Sequence, residues 1–300
     1  MLKLDSLLAF VATAEAGSIS EAARRLQISK SVASERLAEL ERNLGATLVH
    51  RSTRKLTLTE DGIVFLERAK RILREVSEAS TEVSERHGAL VGPLRLSVPV
   101  SFGILHLSPA LNSFLRRNPR VELSLDLNDR FVGATDGFDA IIRHGSLPNK
   151  GWLAKRIAPS RRALVASPDY LRTNGVPRTI ADLERHRGII YSHRGASDWR
   201  FRQSGRWSVA RPRTIMRVNN GIIMRGAALE GMGIALLGTF LFHDLLISGK
   251  LCVVDVGAEA EPATLFIGYP TDRHVSAKVL ALIAHLRTTF GTPPYWERPA

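Results

Sequence analysis

A single cysteine, Cys252, stands in the 300 residues of this chain, which excludes an internal disulfide and any paired-thiol metal site and fits an intracellular protein. Apolar runs are short, and none approaches the ~18 residues that a membrane-spanning helix needs. The opening MLKLDSLLAF carries Asp5, with Glu15 soon after, and has no small-residue cleavage site. Its leucines fit an amphipathic helix better than a secretion signal. Catalytic signatures are missing too: there is no G-x-S-x-G and no H-E-x-x-H, and the nine histidines fall at no ligand spacing. GMGIALLG at 231–238 clusters glycines but follows a helical run and precedes a strand-like one, the reverse of a dinucleotide-binding turn. The expectation is a cytoplasmic protein that is not an enzyme and has neither cofactor nor metal.

What is present is an ordinary soluble composition, 44% hydrophobic and 24% charged, long enough for two or more domains. The net charge of +13 points to nucleic acid, but its distribution qualifies that. Residues 1–62 hold nine Lys/Arg against eight Asp/Glu, and residues 63–90 balance at five of each. The surplus therefore sits beyond residue 90, and local pattern is the better guide.

The most informative stretch is SISEAARRLQISKSVASER, residues 18–36. Ser18 and Glu21 stand at the spacing of a reciprocal helix cap, and Ser29 can cap a second helix. Ala22 and Ala23 offer small surfaces for close helix approach. Ala33, Leu37, Leu40 and Leu44 recur at helical spacing. Lys30, Ser31, Ser34, Glu35 and Ala38 are left outward-facing, as a helix entering the major groove needs. A first helix over Asp5–Ala16 ends at Gly17. Downstream, residues 46–59 contain Arg51, Arg54 and Lys55 but no acid, and Leu56 and Leu58 alternate with Thr57 and Thr59. This predicts a two-stranded wing whose basic tip meets phosphates.

From Thr59, a helix cap followed by Glu60 and Asp61, one helix is predicted to run to about His87. Phe65, Ala69, Ile72, Val76, Ala79 and Val83 form a heptad seam. A second chain is the expected cover for it. Past Gly88, Gly92 and Pro93 the pattern changes: short β-type runs alternate with helical ones to the end of the chain. That alternation predicts an α/β fold with largely parallel sheets, and its size predicts two lobes joined by crossing strands.

In order and spacing these pieces resemble the LysR-type transcriptional regulators along the full chain. The segments carrying the resemblance are FVATAEAGSISEAARRL, SKSVASERLAELERNLG, LVHRSTRKLTLTEDG, VPVSFG, PALNSFLRRNP, LNDR, GFDAIIRHGSLP, VASPDYL and ALEGMGIALL. The resemblance implies a winged helix-turn-helix over residues 1–58 and a dimerising linker helix over 59–90. Residues 91–300 become a periplasmic-binding-protein-like α/β effector domain, lobe I at about 91–157 and 266–300, lobe II at about 158–265. It also implies promoter DNA as partner, self-association up to a homotetramer, and an effector between the lobes. Position 35 is often basic or polar in that family and position 33 often a larger apolar residue. Glu35 repels phosphate but can accept from cytosine N4, so the operator is not transferable from relatives.

Ligands of open α/β sheets bind at the carboxyl ends of strands. That rule selects Ser101, Phe102, Asn128, Arg143 and His144 on one side of a cleft, and Ser192, His193 and Asn219 on the other. Helix starts and Arg143 predict a small anion, an organic or aromatic carboxylate, with Ser101 donating a hydrogen bond. The arginine-rich run from Arg194 to Arg217, seven arginines against Asp198, reads first as a solvated face. Two rivals stand beside this reading. One is a constitutive DNA-binding protein with a vestigial cleft; the other is an enzyme or solute-binding protein, which the first 90 residues argue against.

Overall fold

A computed structural model describes residues 2–51, 56–85, 90–129, 137–145, 151–271 and 275–298; the side chains of residues 51, 78, 80–85 and 195–197 are also outside the description. The chain divides into two compact units, Met1–Gly88 and Ala89–Ala300. Among the described residues no helix is long and apolar enough to cross a membrane.

The first unit runs α1 (Leu4–Ala16), α2 (Ile19–Arg25), α3 (Lys30–Leu44), β1 (Val49–Arg51), β2 (Leu56–Leu58) and α4 (Glu60–Glu85). Ser18 Oγ accepts the Glu21 amide at 3.4 Å and Ser29 Oγ the Val32 amide at 3.3 Å, so both serines start their helices. The cap is not reciprocal, however. Glu21 turns its carboxylate to Arg24 at 2.8 Å and Arg25 at 3.2 Å, because charge-assisted bonds outcompete a neutral amide. Gly17 and Gly45 end α1 and α3 with φ of 62° and 66°. Leu7, Phe10, Leu37, Leu40, Leu48, Val49 and Ala69 make one core. Glu41 Oε1 ties α3 to the wing by accepting the Leu48 amide at 2.8 Å and the Val49 amide at 3.2 Å. A Cβ on Gly62 would stand 2.1 Å from the Leu48 carbonyl oxygen, so only glycine allows α4 to start that close to β1.

Along α4 the expected seam divides. Ala69 is fully buried in the unit's own core, and the Phe65 ring lies 5.6 Å from that of Phe10. Ile72, Val76 and Ala79 remain exposed; Val83 lies among the side chains outside the description. The N-terminal part of the seam is therefore covered by α1, not by a second chain.

Among the described residues, the second unit contains two five-stranded sheets and a three-stranded one. Sheet I is built from β3 (Gly92–Val98), β4 (Val121–Leu127), β5 (Ala140–His144), β6 (Trp152–Ser160) and β15 (Ala263–Pro270), in the order β4-β3-β5-β15-β6. Helices α5 (Val100–Phe102), α6 (Ser108–Arg117) and α10 (Ala277–Phe290) belong to this lobe, with a π turn at Gly103–Leu107 between the first two. Sheet II is built from β7 (Arg162–Ala166), β8 (Arg187–Tyr191), β11 (Arg213–Val218), β12 (Ile234–Gly238) and β13 (Cys252–Val254), in the order β11-β8-β12-β7-β13. With it go α7 (Pro168–Asn174), α8 (Gly221–Leu229) and α9 (His243–Ile247). The small sheet is β10 (Arg206–Val209), β9 (Arg200–Gln203) and β14 (Glu259–Ala260).

Both large sheets are mixed, which corrects the expectation of largely parallel ones. The pairs β3–β4, β3–β5, β8–β11 and β8–β12 are parallel, whereas β15 runs antiparallel to β5 and β6, and β7 to β12 and β13. The reason is the crossing itself: β6 leads directly into β7, so the chain passes between lobes without a helical return. The crossings fall at Arg161 and at 261–262, a few residues from the expected 157–158 and 265–266.

Candidate functional site

In the first unit the N-terminal end of α3 presents Lys30, Ser31 and Glu35 to solvent, with Ser34 half-buried beside them and Ala33 fully buried behind. Arg36 is drawn aside by Asp5 of α1 at 2.9 Å. Arg51 closes β1 opposite Leu56, but its side chain, and all of Arg54 and Lys55, lie outside the described residues. A short, polar helix end next to a two-stranded wing is the arrangement with which a winged helix enters a major groove.

The second unit holds a cavity of about 690 Å³ walled by both lobes. Ser101, Phe102, Arg143, His144 and His193 are in its wall, as are Asp129, Arg162, Tyr191, Arg194 and Glu261, which the strand-end rule did not pick out. Asn128, Ser192 and Asn219 are not; Asp129 takes the place of the first and Tyr191 and His193 that of the second, because successive residues at a strand end point to opposite sides, while beyond Asn219 the wall is met by Gly221 at the start of α8.

The two lobes approach closely at this cavity. A Cβ on Gly221, the first residue of α8, would fall 3.3 Å from Ser101 Oγ. A Cβ on Gly145 would fall 3.4 Å from Nη2 of Arg194, so that side chain spans the cleft. The helix starts are less open than expected. Asp129 Oδ1 accepts the Val100 amide at 3.1 Å, and Asn220 Oδ1 accepts those of Ile222 and Ile223 at 3.0 and 3.2 Å. Arg143 is 4% exposed and gives its guanidinium to the Ser97 carbonyl at 2.9 Å, the Ser97 hydroxyl at 2.8 Å and the Ile142 carbonyl at 2.7 Å. It braces β3 against β5.

Phe102 is fully buried, its ring 5.2–5.6 Å from those of His106, His144, Phe240, Phe290 and Trp296. Burial, then the nearby Arg194 and His106, push the His144 imidazole down to about 3, so it is neutral at physiological pH. Tyr191 is pushed up to about 12, mainly by burial. Burial also raises Asp129, opposed by the Val100 amide and the charge of Arg143. Behind the cavity Arg162 pairs with Asp198, their side chains 7% and 1% exposed, and Asp198 Oδ2 also accepts the Tyr191 amide at 3.2 Å. At the rim Arg194 pairs with Glu261 at 3.8 Å, and Arg200, which is not in the wall, meets the same carboxylate at 3.3 Å.

The crossing strand is clamped by the C-terminal turn Tyr295–Glu297. Glu297 accepts the Arg161 amide at 2.7 Å, Arg161 Nε at 2.5 Å and Thr239 Oγ1 at 2.6 Å.

A winged helix-turn-helix in one unit and a two-lobed ligand cleft in the other define a DNA-binding regulator with a small-molecule effector domain. Residues 4–63 match the bacterial regulatory helix-turn-helix family of the lysR type, and residues 87–291 match the LysR substrate binding domain. The chain belongs to the LysR family of transcriptional regulators. It is 30% identical to an HTH-type transcriptional regulator of Haemophilus influenzae, over 94% of this chain and 99% of that one. To the HTH-type transcriptional regulator PtxR of Pseudomonas aeruginosa it is also 30% identical, over 98% and 95%. Among solved structures, the full-length virulence activator AphB of Vibrio cholerae superposes with a TM-score of 0.62 at 26% identity, covering 95% of this chain and 98% of that one.

Proposed function

We propose that the chain binds promoter DNA as a dimer of dimers in the cytoplasm and responds to a small organic or aromatic carboxylate held between its lobes. In this reading residues 1–58 contact DNA, residues 59–90 pair, and residues 91–300 take the effector. The observation that carries the anionic effector is the wall of the cavity, where three arginines, Arg143, Arg162 and Arg194, stand with two carboxylates, Asp129 and Glu261. The Val100 amide answers part of the charge of Asp129, and Ser101 stands at the meeting of two helix starts. Exposed Ile72 and Val76 support pairing through α4. The open edges β4, bearing exposed Glu122 and Asp126, and β11, bearing exposed Arg213 and Arg217, support a second contact by opposite charge.

Titration calorimetry on the full chain tests the effector. A carboxylate is expected to bind better than its amide, and Ser101→Ala is expected to weaken it by about 1–3 kcal/mol through loss of a charge-assisted bond. Equal affinity for acid and amide removes the anion.

The DNA contacts are separable in the same way. Glu35→Ala is expected to change preference at one base pair by about 1–3 kcal/mol. Arg54→Ala is expected to weaken all sites alike and lower the salt slope by about 0.9. An unchanged operator preference after replacing both Ser34 and Glu35 takes α3 out of base recognition.

A further inference from the structure

Sheet I carries two polar side chains in the cavity wall that have no hydrogen-bond partner among the described residues. His144, the last residue of β5, has both ring nitrogens shielded from solvent and no hydrogen-bond partner among the described residues. Ser160, the last residue of β6, is 1% exposed, and its hydroxyl is in the same condition. The register through β15 sets them on one face of sheet I, on the two strands that flank β15. His144 lies opposite Leu265 and Ser160 opposite Ala263, so both side chains rise from one face of the sheet, two residues apart along β15.

Packing does not account for either group. The His144 ring stacks on Phe240, centroids 4.5 Å apart and planes 6° from parallel, an arrangement open to a phenyl ring as well. The backbone of Gly238 passes over Ser160, where a Cβ would stand 3.4 Å from the hydroxyl and 2.6 Å from the Phe240 ring. About 90% of buried polar atoms in folded proteins have partners, because leaving one unpaired costs roughly 1–3 kcal/mol. Three such atoms in the wall of one cavity mark a place kept for polar atoms from outside the chain.

We propose that His144 and Ser160 form an inner subsite that hydrogen-bonds an uncharged hydroxyl of the effector, which is therefore a hydroxylated carboxylate. This rests on the cleft as the effector site. A neutral imidazole offers one donor and one acceptor, and the serine offers both. A hydroxyl group answers that pattern, since it donates and accepts at once. The neighbouring walls are Phe102, Phe240 and Leu237, and the Arg194 guanidinium, 3.4 Å from where a Cβ on Gly145 would stand, lies close by on the other lobe. The carboxylate accordingly goes to Arg194, and the hydroxyl to the imidazole and serine of sheet I beside it.

Full-length wild type, His144→Phe and Ser160→Ala decide the matter in two arms. The first is the thermal midpoint of the ligand-free chains. Both variants keep the packing and remove an orphaned polar group, so their midpoints are expected at or above that of wild type. A fall of more than a few degrees in both makes the groups structural and overturns the proposal without any probe. The second arm titrates the hydroxybenzoate isomers against the matching methylbenzoates, and 2-hydroxybutyrate against butyrate. Wild type is expected to prefer a hydroxyl analogue by at least about tenfold, and His144→Phe to lose that preference while still favouring acid over amide. No hydroxyl preference in wild type means water alone meets these groups, and a preference that survives both substitutions places the hydroxyl elsewhere; either result overturns the subsite. Loss of the acid-over-amide preference with the hydroxyl preference intact overturns the anionic reading instead.

Discussion

An Ile72→Asp/Val76→Asp chain is expected to keep a folded N-terminal unit, to sediment without the α4-mediated dimer, and to lose at least about a hundredfold in promoter affinity. Ala69→Asp, three residues from Ile72 along the same helix, is expected to unfold the unit outright. The difference follows from where each side chain stands. Ile72 and Val76 are 39% and 41% exposed, so a carboxylate there stays hydrated in the single chain and is buried only when a second helix covers it. Ala69 is at 0% exposure, among Phe10, Leu37 and Leu40. A carboxylate in that core loses its water with no cation to answer it, which costs several kcal/mol, a large share of a small domain's stability. Far-ultraviolet circular dichroism and sedimentation velocity together read the outcome. A double variant that still dimerises and binds DNA with unchanged affinity places the dimer contact elsewhere than on this face.

The second large effect belongs to the ion pair behind the cavity. Asp198→Ala is expected to destabilise the effector unit by about 3–5 kcal/mol, because it strands the Arg162 guanidinium in a site that is 7% exposed. The Tyr191 amide loses an acceptor in the same step. Burial already pushes the Arg162 guanidinium below its usual value, with Asp198 the main group holding it up. Replacing both, as Arg162→Met/Asp198→Leu, is expected to recover most of the loss, since well-packed apolar groups escape the desolvation penalty. The effector unit's own thermal transition measures this. A loss under about 1 kcal/mol in Asp198→Ala means water reaches the pair and screens it.

How far such features can be read in advance depends on whether their cause is local. The helix starts at Ser18 and Ser29 were legible because a cap and an apolar stripe lie within a few residues of each other. Strand β6 was not, since Lys155, Arg156 and Pro159 break its alternation; it is an edge strand of sheet I, where a proline and solvated side chains are tolerated. The arginine run hid a hairpin. Arg200 lies 4.5 Å over the Trp207 ring and Arg202 pairs with Glu259, so part of what read as a solvated face is a sheet held by its own cations. The heptad seam of α4 was visible as periodicity, but periodicity does not say which neighbour covers which turn. In the cleft, Ser101, Arg143, His144 and His193 followed from the rule of strand ends. Glu261 reaches the cavity because β14 hands the chain to β15 there, a matter of tertiary closure. The same closure turned Arg143 inward to Ser97, where proximity along the chain had set it toward a ligand.

The place of β15 governs how the chain must be made. In sheet I it lies between β5 and β6 and pairs with both, yet it is synthesised about a hundred residues after β6, once all of lobe II has emerged. At ~5–20 residues per second a ribosome leaves that gap open for roughly 5–20 s. Lobe II can close during this interval, while β5, carrying Ile141 and Ile142, waits with one edge unpaired, a template for the strands of other nascent chains. A product terminated before Ala263 never leaves that condition: it has most of its residues, one finished lobe, and a sticky edge where the other should have shut.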